Sequence, residues 1–104
     1  MERRPYEITL VFRILSNEEE MNAALDQCVR WIENGEGDDT DGKVTKIDRN
    51  MFGRRKLAYE IDGQRDAQYI FIEAEINPAH LTELELNYRL FDPLLRHLVV
   101  RADD

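Results

Sequence analysis

Alternating apolar and polar residues predict a strand near the beginning of the sequence. From Tyr6 to Ile14, apolar side chains occupy every second position, and Val11 is the only apolar residue among the positions between them. Successive side chains of an extended chain point to opposite faces, so this pattern predicts one buried face and one open face. The predicted inward residues are Tyr6, Ile8, Leu10, Phe12 and Ile14.

A helix is predicted directly after this strand. Ser16 and Glu19 have the spacing of a capping box, so the helix should begin at about Asn17, and Gly35 is its predicted stop. Three glutamates in the first turn suit the positive end of the helix dipole. The predicted buried stripe recurs at helical spacing and consists of Met21, Ala24, Leu25, Cys28, Val29 and Ile32.

An acidic segment and a long, irregular strand are predicted next. Residues 36–42 combine acidic residues with two glycines, which predicts a flexible loop. Residues 43–51 favour a strand that continues through an irregularity at Gly53 into residues 57–61. No linker to a second domain is needed to explain this region.

The last part of the sequence predicts two further strands around a second helix. Asp62-Gly63 is typical of a tight turn, and the strand that follows, 67–76, carries Tyr69 and Phe71 on its outward face. Asn77-Pro78 has the chemistry of a helix start, with an N-cap followed by proline at the first helical position. The predicted helix runs to about Leu90, and the predicted final strand is 94–101.

The predicted element order is βαββαβ, which is the arrangement of ferredoxin-like α+β domains. Right-handed crossovers place both helices on one face of a four-stranded antiparallel sheet and leave the other face open. We expect residues 1–104 to form one such domain. The single cysteine excludes an intrachain disulfide, and the absence of a signal-like or membrane-spanning apolar run predicts a soluble, intracellular protein.

Charge is unevenly distributed along the chain. Residues 16–42 contain nine acidic residues and a single basic one, Arg30. This segment therefore carries the whole formal net charge of −8, and the rest of the chain is balanced. By contrast, Arg54-Arg55-Lys56 places three cations next to each other directly before an alternating strand pattern. A local basic segment indicates an anionic partner, of which phosphate is the commonest. The alternative is that these cations only keep a strand edge soluble.

Other functions fit the sequence less well. An enzyme such as an acyl-phosphate hydrolase would need a glycine-rich phosphate loop, which is absent, and neither His80 nor His97 has a nucleophile at a recognisable spacing. The acidic residues before Gly42 do not complete a calcium loop, because the required downstream glutamate is missing. We therefore expect no catalytic site, no metal and no cofactor.

Tyr69 and Phe71 permit two interpretations. A pair of outward aromatic residues on one strand is typical of the base-stacking platform of RNA-recognition motifs, but the surrounding residues lack that motif's basic-Gly-aromatic order. A protein partner that covers the open sheet face explains the two aromatic residues at least as well.

Three motifs together resemble bacterial small-subunit ribosomal protein six. The family opens with a basic residue and Tyr-Glu, here Arg3 to Glu7, and has a central Trp-Gly-basic-Arg-basic-Leu-Ala-Tyr-x-Ile signature, matched by residues 52–61. Its closing Leu-Arg-x-Leu-Val-Val strand is matched by residues 95–100, after a helix that ends in Arg89-Leu90. The sequence departs from the family pattern at Phe52, at Gly63-Gln64-Arg65, where a basic residue usually follows the signature's final Ile, and in a longer acidic loop at 36–42.

The resemblance implies a non-catalytic ribosomal component in the cytoplasm. It implies binding to the central domain of the small-subunit ribosomal RNA together with small-subunit ribosomal protein eighteen. A stand-alone ferredoxin-like module for ligand sensing or protein interaction is the alternative. The residues expected to bind RNA are Arg3, Arg4, Arg54, Arg55, Lys56, Arg89 and Arg96, and those expected to contact the protein partner are Tyr59, Tyr69 and Phe71.

Overall fold

The predicted strands and helices follow one another in the predicted order, with two additional short strands after the first helix. The computed structural model describes residues 3–36 and 39–103, without the side chains of residues 36, 39 and 49–55. A short 3-10 helix at Pro78–His80 precedes the second α-helix. The elements are β1 (Arg4–Phe12), α1 (Glu18–Glu33), β2 (Gly35–Glu36), β3 (Asp39–Thr40), β4 (Gly42–Ile61), β5 (Gln64–Ile76), α2 (Leu81–Arg89) and β6 (Leu94–Arg101).

Four of the strands form one antiparallel sheet in the order β4-β5-β1-β6. Both helices pack on the same face of this sheet, where Trp31 of α1 meets Tyr88 of α2 edge to face at a ring-centroid distance of 6.2 Å. The predicted ferredoxin-like α+β fold is therefore confirmed. The opposite face of the sheet, called the open face below, carries no helix of the described part of the chain.

The core lies between the sheet and the two helices. Residues at every second position of β1 and β5 are buried there, as the alternating pattern predicted, and burying such side chains stabilises the fold by about 1.5–3 kcal/mol each. Ile14, which was also predicted to face inward, is half-buried because β1 ends at Phe12 and the chain turns toward α1 there. The helices contribute the predicted apolar stripes. The most deeply buried members of the core are Ile8, Leu10, Phe12, Leu25, Cys28, Ile32, Ile70, Ile72, Ile76, Leu84 and Tyr88.

The ends of α1 differ from the prediction by one residue each. The N-cap is Asn17 and not Ser16: its side-chain oxygen accepts a hydrogen bond from the Glu20 backbone N–H at 2.8 Å, and the Ser16 N–H donates to the Glu20 carboxylate at 3.2 Å. At the other end Asn34, and not Gly35, takes the left-handed conformation (φ 47°). Asparagine is a favoured N-cap because its side chain accepts a hydrogen bond, and it also tolerates the left-handed conformation better than most residues. Asparagine therefore caps both ends of α1.

The prediction of an irregular, flexible loop at 36–42 is wrong for the positions that the structure describes. Gly35 pairs with Thr40 in a short β2–β3 hairpin. Two polar contacts fix this hairpin: Arg3 donates from Nη2 to the Thr40 carbonyl and hydroxyl oxygens at 2.7 and 2.8 Å, and the Asn34 amide donates to the Asp41 carboxylate at 2.7 Å. Sequence reasoning missed these contacts because acidic, glycine-containing composition carries no information on distant partners such as Arg3.

The long strand β4 is confirmed, with interruptions. Its pairing with β5 shifts register between Val44 and Lys46, between Asp48 and Gly53, and again toward Ile61, so the predicted irregularity at Gly53 is present. The Asp62-Gly63 turn has positive φ at both positions, 52° and 79°. This is the type I′ geometry whose twist matches a β-hairpin.

The buried thiol of Cys28 and the buried hydroxyl of Tyr88 are expected to make the fold less stable at alkaline pH. Burial raises the pKa of the Cys28 thiol from 9.0 to about 12, and burial, with a smaller effect of Cys28, also raises the pKa of Tyr88. Both groups ionise at a lower pH in the unfolded chain than in the folded protein. Their stabilising contribution is therefore complete below pH ~9 and decreases as the pH rises toward 12.

We expect the free energy of unfolding to decrease by about 1.4 kcal/mol at pH 10 because of Cys28 alone. Urea unfolding at pH 8 and pH 10 measures this change. The Cys28→Ala variant should lose about 1.4 kcal/mol less than the wild type over the same interval. An equal loss in both proteins would show that the thiol is not the cause.

Candidate nucleic-acid and partner interface

The open face is built from cross-strand rows of side chains. The strand register places Leu98 of β6, Thr9 of β1 and Phe71 of β5 side by side in one row. The neighbouring row consists of Arg96, Val11 and Tyr69. The predicted outward direction of Tyr69 and Phe71 is therefore confirmed, although both side chains are half-buried rather than fully exposed.

Apolar side chains on the open face extend to the edge of the sheet. Leu98 and Val100 are exposed on β6, the outermost strand on that side; Leu98 lies in the row that contains Phe71, and Val100 pairs with Glu7 in the next row. These two residues were not among the predicted site residues. Their alternation with Val99, which packs against the core, was the available signal.

The basic segment lies on a hairpin that extends beyond the rest of the sheet. Phe12, the last residue of β1, pairs with Gln68 of β5, which pairs with Arg54 of β4 on its other side, so the part of the β4–β5 hairpin that follows Arg54 projects past the end of β1. We call residues 54–66 the basic arm. The backbones of Arg54 and Arg55 pair with Gln68 and Ala67. Their side chains, like that of Phe52, lie outside the described part of the structure.

The basic arm bends toward the strand at the opposite edge of the sheet. The guanidinium carbon of Arg96 on β6 lies 5.7 Å from the centre of the Tyr59 ring, within the range of a cation–π contact. Tyr59 is 63% exposed, and Lys56 is exposed as well. The structure thus brings Lys56, Tyr59 and Arg96 to one corner of the molecule.

Arg89 and Arg96 lie on one surface cleft. This cleft has a volume of about 270 Å³ and lies between the end of α2 and the start of β6, where Leu94 and His97 also line it. Arg89 is in the last turn of α2, where the helix dipole favours a cation, so its position also has a purely local explanation.

Arg3 and Arg4 lie at the other end of the sheet. Arg4 begins β1, whereas Arg96 pairs with Val11 close to the end of that strand, about 23 Å away at ~3.3 Å per residue. Arg3 is bonded to Thr40 in the β2–β3 hairpin. The seven predicted cations therefore do not form one cluster. Among the described side chains, Arg96 contacts the basic arm through Tyr59, and Arg89 lines a cleft with Arg96.

His80 and Arg13 are two long-range contact residues that the sequence did not indicate. His80 is buried, and its Nε2–H donates to the Trp31 carbonyl oxygen at 2.6 Å, which ties α2 to α1. Its Nδ1 lies 3.6 Å from the Glu83 carboxylate and 3.9 Å from that of Asp41. Arg13 bonds to Asp62 at the tip of the basic arm. Their partners are distant in sequence, so no local pattern reveals them.

Comparison with known proteins identifies the family. The family model described as ribosomal protein S6 matches residues 5–101. The chain belongs to the ribosomal protein S6 family. It is 38% identical over 102 residues to small ribosomal subunit protein bS6 of Chlamydia pneumoniae, covering 98% of this chain and 85% of that protein. It is 34% identical over 102 residues to the bS6 protein of Caldanaerobacter subterraneus, covering 97% and 99%.

The solved structures agree with this assignment. The crystal structure of the 30S ribosomal protein S6 from Thermotoga maritima superimposes with a TM-score of 0.81 at 29% identity, covering 96% of this chain and 88% of that one. As a member of the S6 family, the chain is a structural component of the small subunit of the cytoplasmic ribosome. Among residues 3–36 and 39–103, no helix has the length and apolar character needed to cross a membrane.

Proposed function

We propose that this S6-family protein binds the central domain of the small-subunit ribosomal RNA as a complex with small-subunit ribosomal protein eighteen, and that it has no catalytic activity. One observation supports this proposal above the others. The corner where Tyr59 meets Arg96 combines the basic arm with the apolar end of the open face. The cations proposed to bind phosphate are thus adjacent to the surface proposed to dock a protein.

The RNA part of the proposal rests on the cations of this corner. Arg54, Arg55 and Lys56 on the arm and Arg96 on β6 are side chains suited to phosphate oxygens, and arginine can contact a phosphate through two parallel hydrogen bonds. Such contacts fix position and orientation and carry no base sequence. Binding is therefore proposed to be positional, with the RNA shape providing selectivity.

The acidic residues lie at both ends of the sheet. The β2–β3 hairpin is at the Arg4 end, far from the basic arm. The first turn of α1 is at the arm's end, where Glu18 lines a pocket with Arg13 and with Gln68, the β5 partner of Arg54. Because screening limits the influence of a charge to roughly 8 Å at physiological ionic strength, the first turn of α1 is the acidic part proposed to oppose RNA binding at this corner.

The protein-partner part of the proposal rests on the chemistry of the open face. Its apolar residues Leu98 and Val100 lie next to Glu7 and Glu73, which are directly opposite each other across β1 and β5. Like charges in this position destabilise a strand pair, and Lys46, at 3.8 Å from Glu73, relieves only part of the repulsion. A basic protein that buries the apolar residues and approaches the glutamates would suit this surface.

The experiment that tests the proposal compares the isolated chain with the complex. Because residues 16–42 repel RNA, we expect the chain alone to bind central-domain RNA at least about tenfold more weakly than the complex with protein eighteen. Gel-shift titrations at the same salt concentration measure both affinities. Tight, saturable binding by the isolated chain would contradict the proposed role of the partner, and no binding by the complex would contradict the proposed function.

A further inference from the structure

Arg13 connects three segments that are far apart in sequence. Its Nη2 pairs with the carboxylate of Asp62 at the tip of the basic arm, and its Nε–H donates to the Asp92 carbonyl oxygen at 2.8 Å. Its backbone N–H donates to the Pro93 carbonyl oxygen at 2.9 Å. Since Arg13 directly follows β1, one side chain joins the arm tip to the end of β1 and to the α2–β6 connection.

The basic arm is therefore held at two places. The Arg13–Asp62 pair holds its tip, and the contact between Tyr59 and Arg96 holds its middle. The guanidinium group is planar and presents its donors in a fixed fork, so bonding to two acceptors also fixes the direction of the arm. Arg13 is largely buried by these neighbours, with a side-chain exposure of 21%.

We propose that Arg13 is a positioning residue, which holds the basic arm so that its cations and Arg96 meet the RNA as one preformed set. This inference rests on the proposed function. Ordering a mobile segment during association reduces affinity, so an arm that is already fixed before binding avoids that cost. In this arrangement Arg13 contributes to RNA affinity through the arm and not through a phosphate contact of its own.

The Asp62→Asn variant separates positioning from general electrostatics. The change removes the negative charge of Asp62 next to the proposed RNA site, so RNA binding should become stronger if only charge matters. If Asp62 positions the arm, the same change should weaken the RNA affinity of the partner-bound protein by about two- to fivefold, the range expected from exposed ion pairs. The slope of log affinity against log salt should stay unchanged, because no phosphate contact is lost.

Glu60→Gln is the matched control. It removes one negative charge from the same hairpin, but the Glu60 carboxylate pairs with Arg65 at 2.9 Å, which is an ion pair within the hairpin and, among the described side chains, not one that joins the arm to the rest of the molecule. We expect this variant to bind RNA as well as the wild type or slightly better. The Arg13→Gln variant removes the other partner of the Arg13–Asp62 pair, so it should weaken RNA binding as Asp62→Asn does.

A second measurement needs no RNA. Amide hydrogen exchange of residues 56–66 in the free protein should become faster in Asp62→Asn and Arg13→Gln, and should stay at the wild-type rate in Glu60→Gln. Thermal melts show whether each variant remains folded. Unchanged exchange in the two tether variants overturns the inference, and so does RNA binding by Asp62→Asn that equals or exceeds that of the wild type. A wild-type complex that does not bind RNA contradicts the proposed function and the inference together.

Discussion

Replacing Leu98 and Val100 with serine is expected to weaken binding of ribosomal protein eighteen by about thirtyfold or more. Both side chains are on the open face, with exposures of 59% and 47%, and both alternate with residues that face the core. Interface anchors commonly contribute about 2 kcal/mol or more when truncated, which corresponds to about thirtyfold in affinity. Substitutions at exposed positions usually change folding stability by less than about 0.5 kcal/mol each.

The helix α2 provides a matched control for this change. Leu86 and Leu90 have exposures of 48% and 75% but lie on the opposite side of the molecule, away from the open face. We expect Leu86→Ser with Leu90→Ser to change partner affinity by less than about threefold. Calorimetric titration, accompanied by thermal melts, measures both variants. Equal losses in the two variants would contradict a specific role for the open face.

Tyr69 and Phe71 are less suitable for the same test. Their side chains are half-buried, so replacing them would change folding and binding at the same time. The sequence placed these two residues on the correct face of β5. Their contribution to partner binding stays a prediction. The exposed residues Leu98 and Val100 test the role of the open face with less effect on folding.

The Arg54→Ala/Arg55→Ala double variant is expected to reduce RNA affinity strongly and to change its salt dependence. Each lost phosphate contact lowers the slope of log affinity against log salt by about 0.9 and lowers affinity by about eightfold at 0.1 M salt. One or two lost contacts thus predict a slope smaller by about one to two and an affinity about eight- to sixtyfold lower. Filter binding of the partner complex over a salt series measures both quantities.

Lys43 and Lys46 supply the control for this double variant. They lie on the same strand, β4, at the end that is distant from the basic arm, where they pair with Glu75 and Glu73 of β5. The Lys43→Ala/Lys46→Ala variant removes the same charge but no proposed phosphate contact. Its salt slope should remain close to that of the wild type, and an unchanged slope in the arginine variant would remove Arg54 and Arg55 from the RNA site.

Local patterns predicted most of the fold because each element depends on residues close together in sequence. The alternation in β1 and the helical stripe of α1 encode which side chains are buried, and the type I′ turn at Asp62-Gly63 has its own residue chemistry. The errors at the ends of α1 occurred where neighbouring residues compete for one function. Ser16 and Asn17 can both cap a helix, and the structure uses Asn17.

The candidate site was predictable in its composition and not in its geometry. The basic segment of the arm is visible in the sequence, but nothing in it shows that the arm bends toward Arg96 or that Arg13 holds its tip. These contacts join β1, the β4–β5 hairpin and β6, so they depend on sheet topology. The same reason explains why Arg3 was grouped with the arm cations, although it is bonded to Thr40 at the other end of the sheet.

The most direct test of the proposed function is a cryo-electron microscopy map of small ribosomal subunits reconstituted with this protein. We predict that Arg54, Arg55 and Arg96 lie within about 2.7–2.9 Å of phosphate oxygens of the central-domain RNA, with ribosomal protein eighteen covering Leu98 and Val100. A map in which the basic arm faces solvent, or in which the open face remains uncovered, would contradict it.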